Sequence, residues 1–258
     1  MVVTRPDEPP PGLIASVRAV GREPEAVHAG QRWGFGAFLL VEAVFILSAV
    51  FITAVARTTG TGSSPAYILI GSMVPTVLAA LVAVTITYLR GNGPFRDLRL
   101  AWDWADVKVG LKLGALGLVL TYVAAVVWSK VVGDQNATSA IGELVDGAAL
   151  PLAAAVAMFL YVCFLGPVCE EIIYRGLLWG AIERQRWSRW AAFVLTTLIF
   201  AASHLEPLRT SLLIVIAVPI GIARLITRRL TASVVAHVIN NFLPGLTLLL
   251  VSIGVMPA

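Results

Sequence analysis

Long apolar stretches recur along this chain, and they constrain its fold more than any other feature. Stretches of about 18 or more nearly uncharged residues recur, and as α-helices rising about 1.5 Å per residue they can cross a hydrocarbon core of about 30 Å. Only 13% of the 258 residues are charged, about half the share found in an average soluble domain. A membrane β-barrel would instead show segments of about ten residues with alternating polarity. We therefore expect an all-α, polytopic transmembrane helix bundle.

The apolar stretches predict about seven spans, within a range of six to eight. Five are well delimited, at about residues 34–56, 66–89, 109–132, 190–204 and 208–225. The run 150–182 is too long for one upright span and contains Pro167, so it is predicted to be one tilted, bent crossing, or else a span plus a re-entrant helix. The run 232–256 is interrupted at Pro244 and Gly245 and forms either one long span or two short helices.

Residues 1–33 are polar and proline-rich, which predicts a disordered tail ahead of a single transmembrane domain over residues 34–258. Lysine and arginine cluster in this tail and in every second connection between spans, all on one side of the membrane under a seven-crossing count. The positive-inside rule then places the amino terminus in the cytoplasm of an integral cell-membrane protein. The net charge of +4 arises at span ends rather than in a basic stripe, so we expect membrane lipid and no nucleic acid as a partner.

Ionisable groups inside the predicted spans are the candidate functional residues, because each costs about 2.5 to 3.5 kcal/mol near the bilayer centre. Four clusters qualify: Glu42; Glu170 with Glu171 and Arg175; His204; and His237 with Asn241. Counted from the nearest arginine-rich end, the last three clusters lie at depths of about 12 to 22 Å. We therefore expect Glu170, His204, His237 and Asn241 to line one cavity. Glu42 has no partner at a motif spacing and is predicted to be a buried, hydrogen-bonded acid rather than a catalytic one.

Spacing within the helices adds chemistry to these clusters. Glu171 and Arg175 are four residues apart, so they share a helix face and can form an ion pair while Glu170 points elsewhere. His237 and Asn241 have the same spacing and present an imidazole and an amide to one side. Taken alone, a structural salt bridge explains the first pair about as well as catalysis does.

In the third span, Gly110 and Gly114 offer a small-residue face for close helix packing.

Three motifs occur in order within about residues 165–245: EEIIYR at 170–175, FAASH at 200–204 and HVINN at 237–241. In order and internal spacing they resemble the EExxxR, FxxxH and HxxxN motifs of the CPBP family of intramembrane proteases. That family includes the type II CAAX prenyl endopeptidases and bacterial bacteriocin-processing and immunity proteins. The resemblance implies a motif-bearing core at about 150–245 that hydrolyses a peptide bond of a membrane-associated or prenylated-like substrate.

The resemblance also implies a set of site residues. The catalytic ones are Glu170, His204, His237 and Asn241, and the supporting ones are Glu171 and Arg175. Glu170 would activate water together with His204, while His237 and Asn241 would stabilise the oxyanion. Hydrogen-bond donors in that role are typically worth about 2.7 to 4 kcal/mol each.

No cofactor is predicted firmly. Zinc catalysis usually takes three protein ligands and a water, for which Glu170, His204 and His237 are the candidates, but the metal-free glutamate mechanism is preferred. The expected partner besides lipid is a peptide or protein substrate in the membrane. A non-catalytic scaffold, an immunity protein or a proton-coupled carrier is the alternative, although no motif occurs twice as inverted repeats would favour.

Overall fold

Helices are the only regular structure across the residues that the computed structural model describes, which are 12–21, 29–62, 64–133, 142 and 150–256. The helices are α1 (Leu13–Arg18), α2 (Phe35–Thr59), α3 (Pro65–Arg90), α4 (Pro94–Asp97), α5 (Trp104–Val132), α6 (Leu152–Arg184), α7 (Arg189–Ser203), α8 (Thr210–Thr227) and α9 (Leu230–Ser252). Of these, α2, α3, α5, α6, α8 and α9 are long and apolar enough to cross a membrane. The fold is the polytopic helix bundle that the sequence predicts.

The helix α7 lies at the span predicted at 190–204, but it is too short to cross a membrane upright. Its 15 residues rise about 22 Å, whereas the hydrocarbon core is about 30 Å thick. Ser188 caps its amino-terminal end by accepting a hydrogen bond from the Ala191 N–H at 3.2 Å. His204 follows its last residue. An upright α7 that starts at the membrane surface therefore ends inside the bilayer, with His204 at its tip.

The apolar run around Pro167 forms one continuous helix, α6, and not a span plus a re-entrant helix. Two π-helical stretches, Tyr161–Leu165 and Ile172–Leu178, flank an α-helical stretch, Gly166–Glu171. Proline has no N–H to donate, and a local change of helical pitch accommodates it. The stretch between the two π-helical stretches contains both Glu170 and Glu171. Such irregular turns are frequent at functional sites.

The carboxy-terminal apolar stretch is also one helix, α9, with Pro244 inside it. Gly245 lies against α6 so closely that an added Cβ would collide with the Cys163 sulfur. The Cys163 thiol in turn donates to the Asn241 carbonyl at 3.5 Å. Close contact between α6 and α9 therefore depends on small residues at this crossing.

Part of the predicted tail is described, namely residues 12–21 and 29–33. The helix α1 lies within it and packs against α8, and Trp33 is buried in a core to which α2, α3 and α6 contribute. Residues 1–11 and 22–28 lie outside the described residues, so the disorder predicted for the tail stays a prediction there.

The glycines of α5 allow it to pack closely against α9. A Cβ at Gly110 would lie 2.7 Å from the Ala232 carbonyl oxygen, and one at Gly114 would lie 2.8 Å from Cβ of Ile239. The small-residue face predicted at these two positions is therefore confirmed.

An ion pair joins the amino-terminal ends of α5 and α9. Arg229 binds the Asp103 carboxylate at 2.7 Å, and the Ala105 N–H and Arg229 together lower the pKa of Asp103.

Gly114→Ala is expected to destabilise the bundle by about 1 to 3 kcal/mol, because the added methyl group has no space against α9. The measurement is the apparent Tm of the purified protein in detergent. Gly36→Ala is the matched control, since a Cβ at this exposed position of α2 meets nothing within 4 Å. Equal Tm values for the two variants would contradict the packing described.

Candidate active site

A buried network of ion pairs joins α6 to α9. Glu171 Oε1 lies 2.9 Å from Arg175 Nη1, and neither side chain has exposed area, so the pair expected from their spacing is present. The same Glu171 oxygen lies 3.0 Å from His237 Nδ1. A carboxylate paired with arginine only accepts hydrogen bonds, so His237 Nδ1 holds the hydrogen and donates it. This contact fixes the His237 ring and leaves its Nε2 available.

Glu170 lies on the other side of the His237 ring. Its Oε2 is 3.5 Å from His237 Nε2, and 23% of its side chain is exposed, compared with none for Glu171. The imidazole therefore stands between two carboxylates, one buried and one accessible. The Nε2 nitrogen of His237 is thus the ring atom that faces Glu170, while Nδ1 is held by Glu171.

The accessible carboxylate faces a cavity of about 320 Å³ between α2, α3, α6 and the tip of α7. Its polar wall includes Glu42, Thr76, Tyr161, Glu170, Tyr174 and His204. His204 Nδ1 lies 2.8 Å from the Phe200 carbonyl oxygen. A carbonyl oxygen can only accept, so this contact places the hydrogen on Nδ1 and leaves Nε2 of the neutral ring as an acceptor.

Phe200 packs against three other side chains of the motifs, namely Arg175, His204 and His237. Its ring centroid is 4.7 Å from that of His204 and 5.7 Å from that of His237, both in edge-on geometry. The Arg175 guanidinium lies over the same ring at 4.6 Å. Phe200 is itself buried. It therefore sets the spacing between the two histidines and shields the arginine from water.

Asn241 is engaged away from the cavity. Its Nδ2 donates to the Val162 carbonyl at 3.1 Å, within the first π-helical stretch of α6. Of the four residues expected to line one cavity, Glu170 and His204 do so. His237 contacts Glu170 from within the protein, and Asn241 lies one helical turn further along α9. The roles proposed for these residues stay predictions.

Glu42 belongs to this cavity, which sequence reasoning did not anticipate. Its carboxylate faces the hydroxyl groups of Tyr174 and Ser203 and the imidazole of His204. Glu42 comes from α2, in the half of the chain that contains no recognisable motif. The one signal in the sequence was an acid inside an apolar span. Its hydrogen-bonded surroundings agree with the prediction, but Glu42 is only partly buried, and its non-catalytic role stays a prediction.

A three-ligand metal site does not assemble among the described residues. No group of three or more His, Cys, Asp or Glu side chains there is placed to hold a metal ion. Glu170 and His237 are in contact, but His204 does not join them in such a group. The set of candidate ligands therefore does not fit a catalytic zinc site in this arrangement, and no step below passes through a metal.

One comparison with known proteins identifies the segment that contains the site. Residues 152–243 match the family model described as Rce1-like, Type II CAAX prenyl endopeptidase. No curated protein and no solved structure matches the chain. The matched segment runs from the start of α6 into α9 and includes all three motifs. Residues 152–243 are thus similar to Rce1-like type II CAAX prenyl endopeptidases, which agrees with the resemblance of the three motifs.

Proposed function

We propose that this integral membrane protein is an intramembrane endopeptidase in which Glu170 activates the attacking water. Its substrate is a membrane-associated or prenylated-like protein. The observation that supports this most directly is the position of Glu170. It is the exposed member of a pair of acids, faces the cavity beside His204, and contacts His237.

The proposed reaction begins with a water between Glu170 and His204. Glu170 takes a proton from this water as the oxygen attacks the peptide carbonyl, and the acceptor nitrogen of His204 helps to orient it. General-base catalysis of this kind contributes about 100- to 10,000-fold. The cavity volume of about 320 Å³ suits a short stretch of peptide and not a folded domain.

The second step moves the proton from Glu170 towards the leaving amine. His237 Nε2 lies 3.5 Å from Glu170 Oε2 and accepts the proton, and Glu171 stabilises the imidazolium that forms. The protonated ring then donates to the developing oxyanion or to the departing nitrogen. Asn241 supports the oxyanion after its amide releases the Val162 carbonyl.

Purified protein is expected to cleave membrane-embedded peptides, and the activity is expected to survive a chelator, because the proposed mechanism uses only side chains. The assay is cleavage of a peptide library in detergent or vesicles, with and without chelator, together with elemental analysis. Activity that the chelator abolishes and zinc restores would overturn the metal-free mechanism. A scaffold or carrier would cleave nothing under any condition.

We also propose that the amino terminus lies in the cytoplasm. The support is the arginine distribution between spans, since arginine-rich connections remain on the cytoplasmic side. A cysteine introduced near residue 3 is expected to resist an impermeant thiol reagent in intact cells.

A further inference from the structure

A second, polar pocket lies apart from the catalytic cavity, where the segment before α2 meets the ends of α3 and α6. Its volume is about 660 Å³. Three arginines line it, namely Arg32, Arg90 and Arg184, and its apolar wall includes Leu40 and Ile86. Arg90 ends α3 and Arg184 ends α6. The pocket is therefore at the level where long membrane helices leave the hydrocarbon core.

The three arginines are exposed, and none of the ion pairs found within the described part of the chain includes them. Arginines elsewhere in the same structure do find carboxylates, as Arg229 does with Asp103 at 2.7 Å. Like charges that converge on one pocket repel one another, and an anion in that pocket removes the repulsion.

Hydrogen bonds hold the backbone segment that contains Arg32 against α3 and α6. The Arg32 N–H donates to the Arg90 carbonyl at 2.8 Å, which joins the segment before α2 to the end of α3. The buried Trp33 indole donates to Asp97 at 2.9 Å, and Gln31 donates to the Gly180 carbonyl of α6 at 3.3 Å. These hydrogen bonds fix the backbone at Arg32 beside the ends of α3 and α6, which places the three arginines around one pocket.

We infer that this pocket binds the phosphate headgroup of an anionic membrane phospholipid, with an acyl chain along Leu40 and Ile86. Guanidinium groups match phosphate oxygens with two parallel hydrogen bonds. Basic pockets between transmembrane helices bind such headgroups. The apolar wall beside the three positive charges favours a lipid over a free anion, because only a lipid also covers Leu40 and Ile86.

The test measures the affinity of purified protein in detergent for dioctanoyl phosphatidylglycerol, from the rise of Tm with lipid concentration. A basic side chain near an anionic lipid surface contributes about fivefold in affinity. The triple variant Arg32→Gln, Arg90→Gln, Arg184→Gln is therefore expected to bind on the order of 100-fold more weakly. The single variant Arg184→Gln should lose about fivefold, which keeps the test valid if the triple variant folds poorly.

The matched control removes three exposed basic residues outside the pocket, namely Arg96→Gln, Lys108→Gln and Lys112→Gln. It is expected to keep wild-type affinity to within about twofold. Equal weakening by the two triple variants would show a general charge effect and overturn the proposal. Equal protection by dioctanoyl phosphatidylcholine, or by inorganic phosphate at the same concentration, would also overturn it, because the pocket would then not select an anionic lipid.

Discussion

Arg175→Ala is expected to destabilise the folded protein by roughly 3 to 5 kcal/mol, because it leaves the charge of Glu171 buried without its arginine. Both side chains are fully buried and lie 2.9 Å apart. The change also removes the guanidinium that packs over Phe200 at 4.6 Å, so the two histidines beside that ring lose their support. The measurement is the apparent Tm in detergent, together with the urea concentration at half-unfolding.

Arg209→Ala is the matched control for this variant. Arg209 pairs with Glu206 at 2.7 Å, but 19% and 18% of the two side chains are exposed, so loss of that pair is expected to cost less than loss of the fully buried pair. A double variant, Glu171→Gln with Arg175→Met, should be less destabilised than Arg175→Ala, because it leaves no uncompensated charge. If Arg175→Ala protein is as stable as wild type, the ion pair is not part of what holds α6 and α9 together.

Contacts within one helix were predictable from the sequence. The pairing of Glu171 with Arg175 and the placement of Phe200 beside His204 both follow from a spacing of four residues, which places two side chains on one face. The lengths of the apolar runs predicted about seven spans, within a range of six to eight. Among the described residues six helices are long enough to cross a membrane, and the run at 190–204 forms the shorter helix α7. Pro244 left the carboxy-terminal stretch ambiguous, and the structure has a single helix there.

Contacts between helices were not predictable, because they depend on how the helices pack rather than on local spacing. Glu42 reaches the cavity because α2 packs beside α3 and α6, and no motif in the sequence indicates this. Asn241 shares a helix face with His237, as expected, yet its amide finds the Val162 carbonyl in a π-helical stretch. The depth estimate assumed straight, upright helices, and the π-helical stretches of α6 break that assumption.

Glu170→Gln is expected to lower the rate of peptide hydrolysis by about 100- to 10,000-fold while folding is preserved. Glutamine has nearly the same shape and still forms hydrogen bonds, but it cannot take a proton from water. The side chain is partly exposed and its contact with His237 is long, at 3.5 Å, so its replacement disturbs packing less than replacement of Glu171 would. The buried network of Glu171, Arg175 and His237 remains intact.

Glu206→Gln controls for the loss of one carboxylate on the same cavity. Glu206 lines the cavity, but it pairs with Arg209 and belongs to none of the three motifs. This variant is expected to keep activity to within a few-fold. A fall in activity as large as that of Glu170→Gln would mean that any acid in the cavity is needed for its overall charge.

The most direct test is the initial rate of cleavage of one membrane-embedded peptide by wild-type protein, Glu170→Gln and Glu206→Gln, each reconstituted in vesicles at equal folded concentration. Substrate binding is measured in parallel. If Glu170 is the general base, Glu170→Gln binds the peptide with affinity near that of wild type and cleaves it at least about 100-fold more slowly. Cleavage by Glu170→Gln at the wild-type rate would contradict the assignment of Glu170 as the residue that activates water.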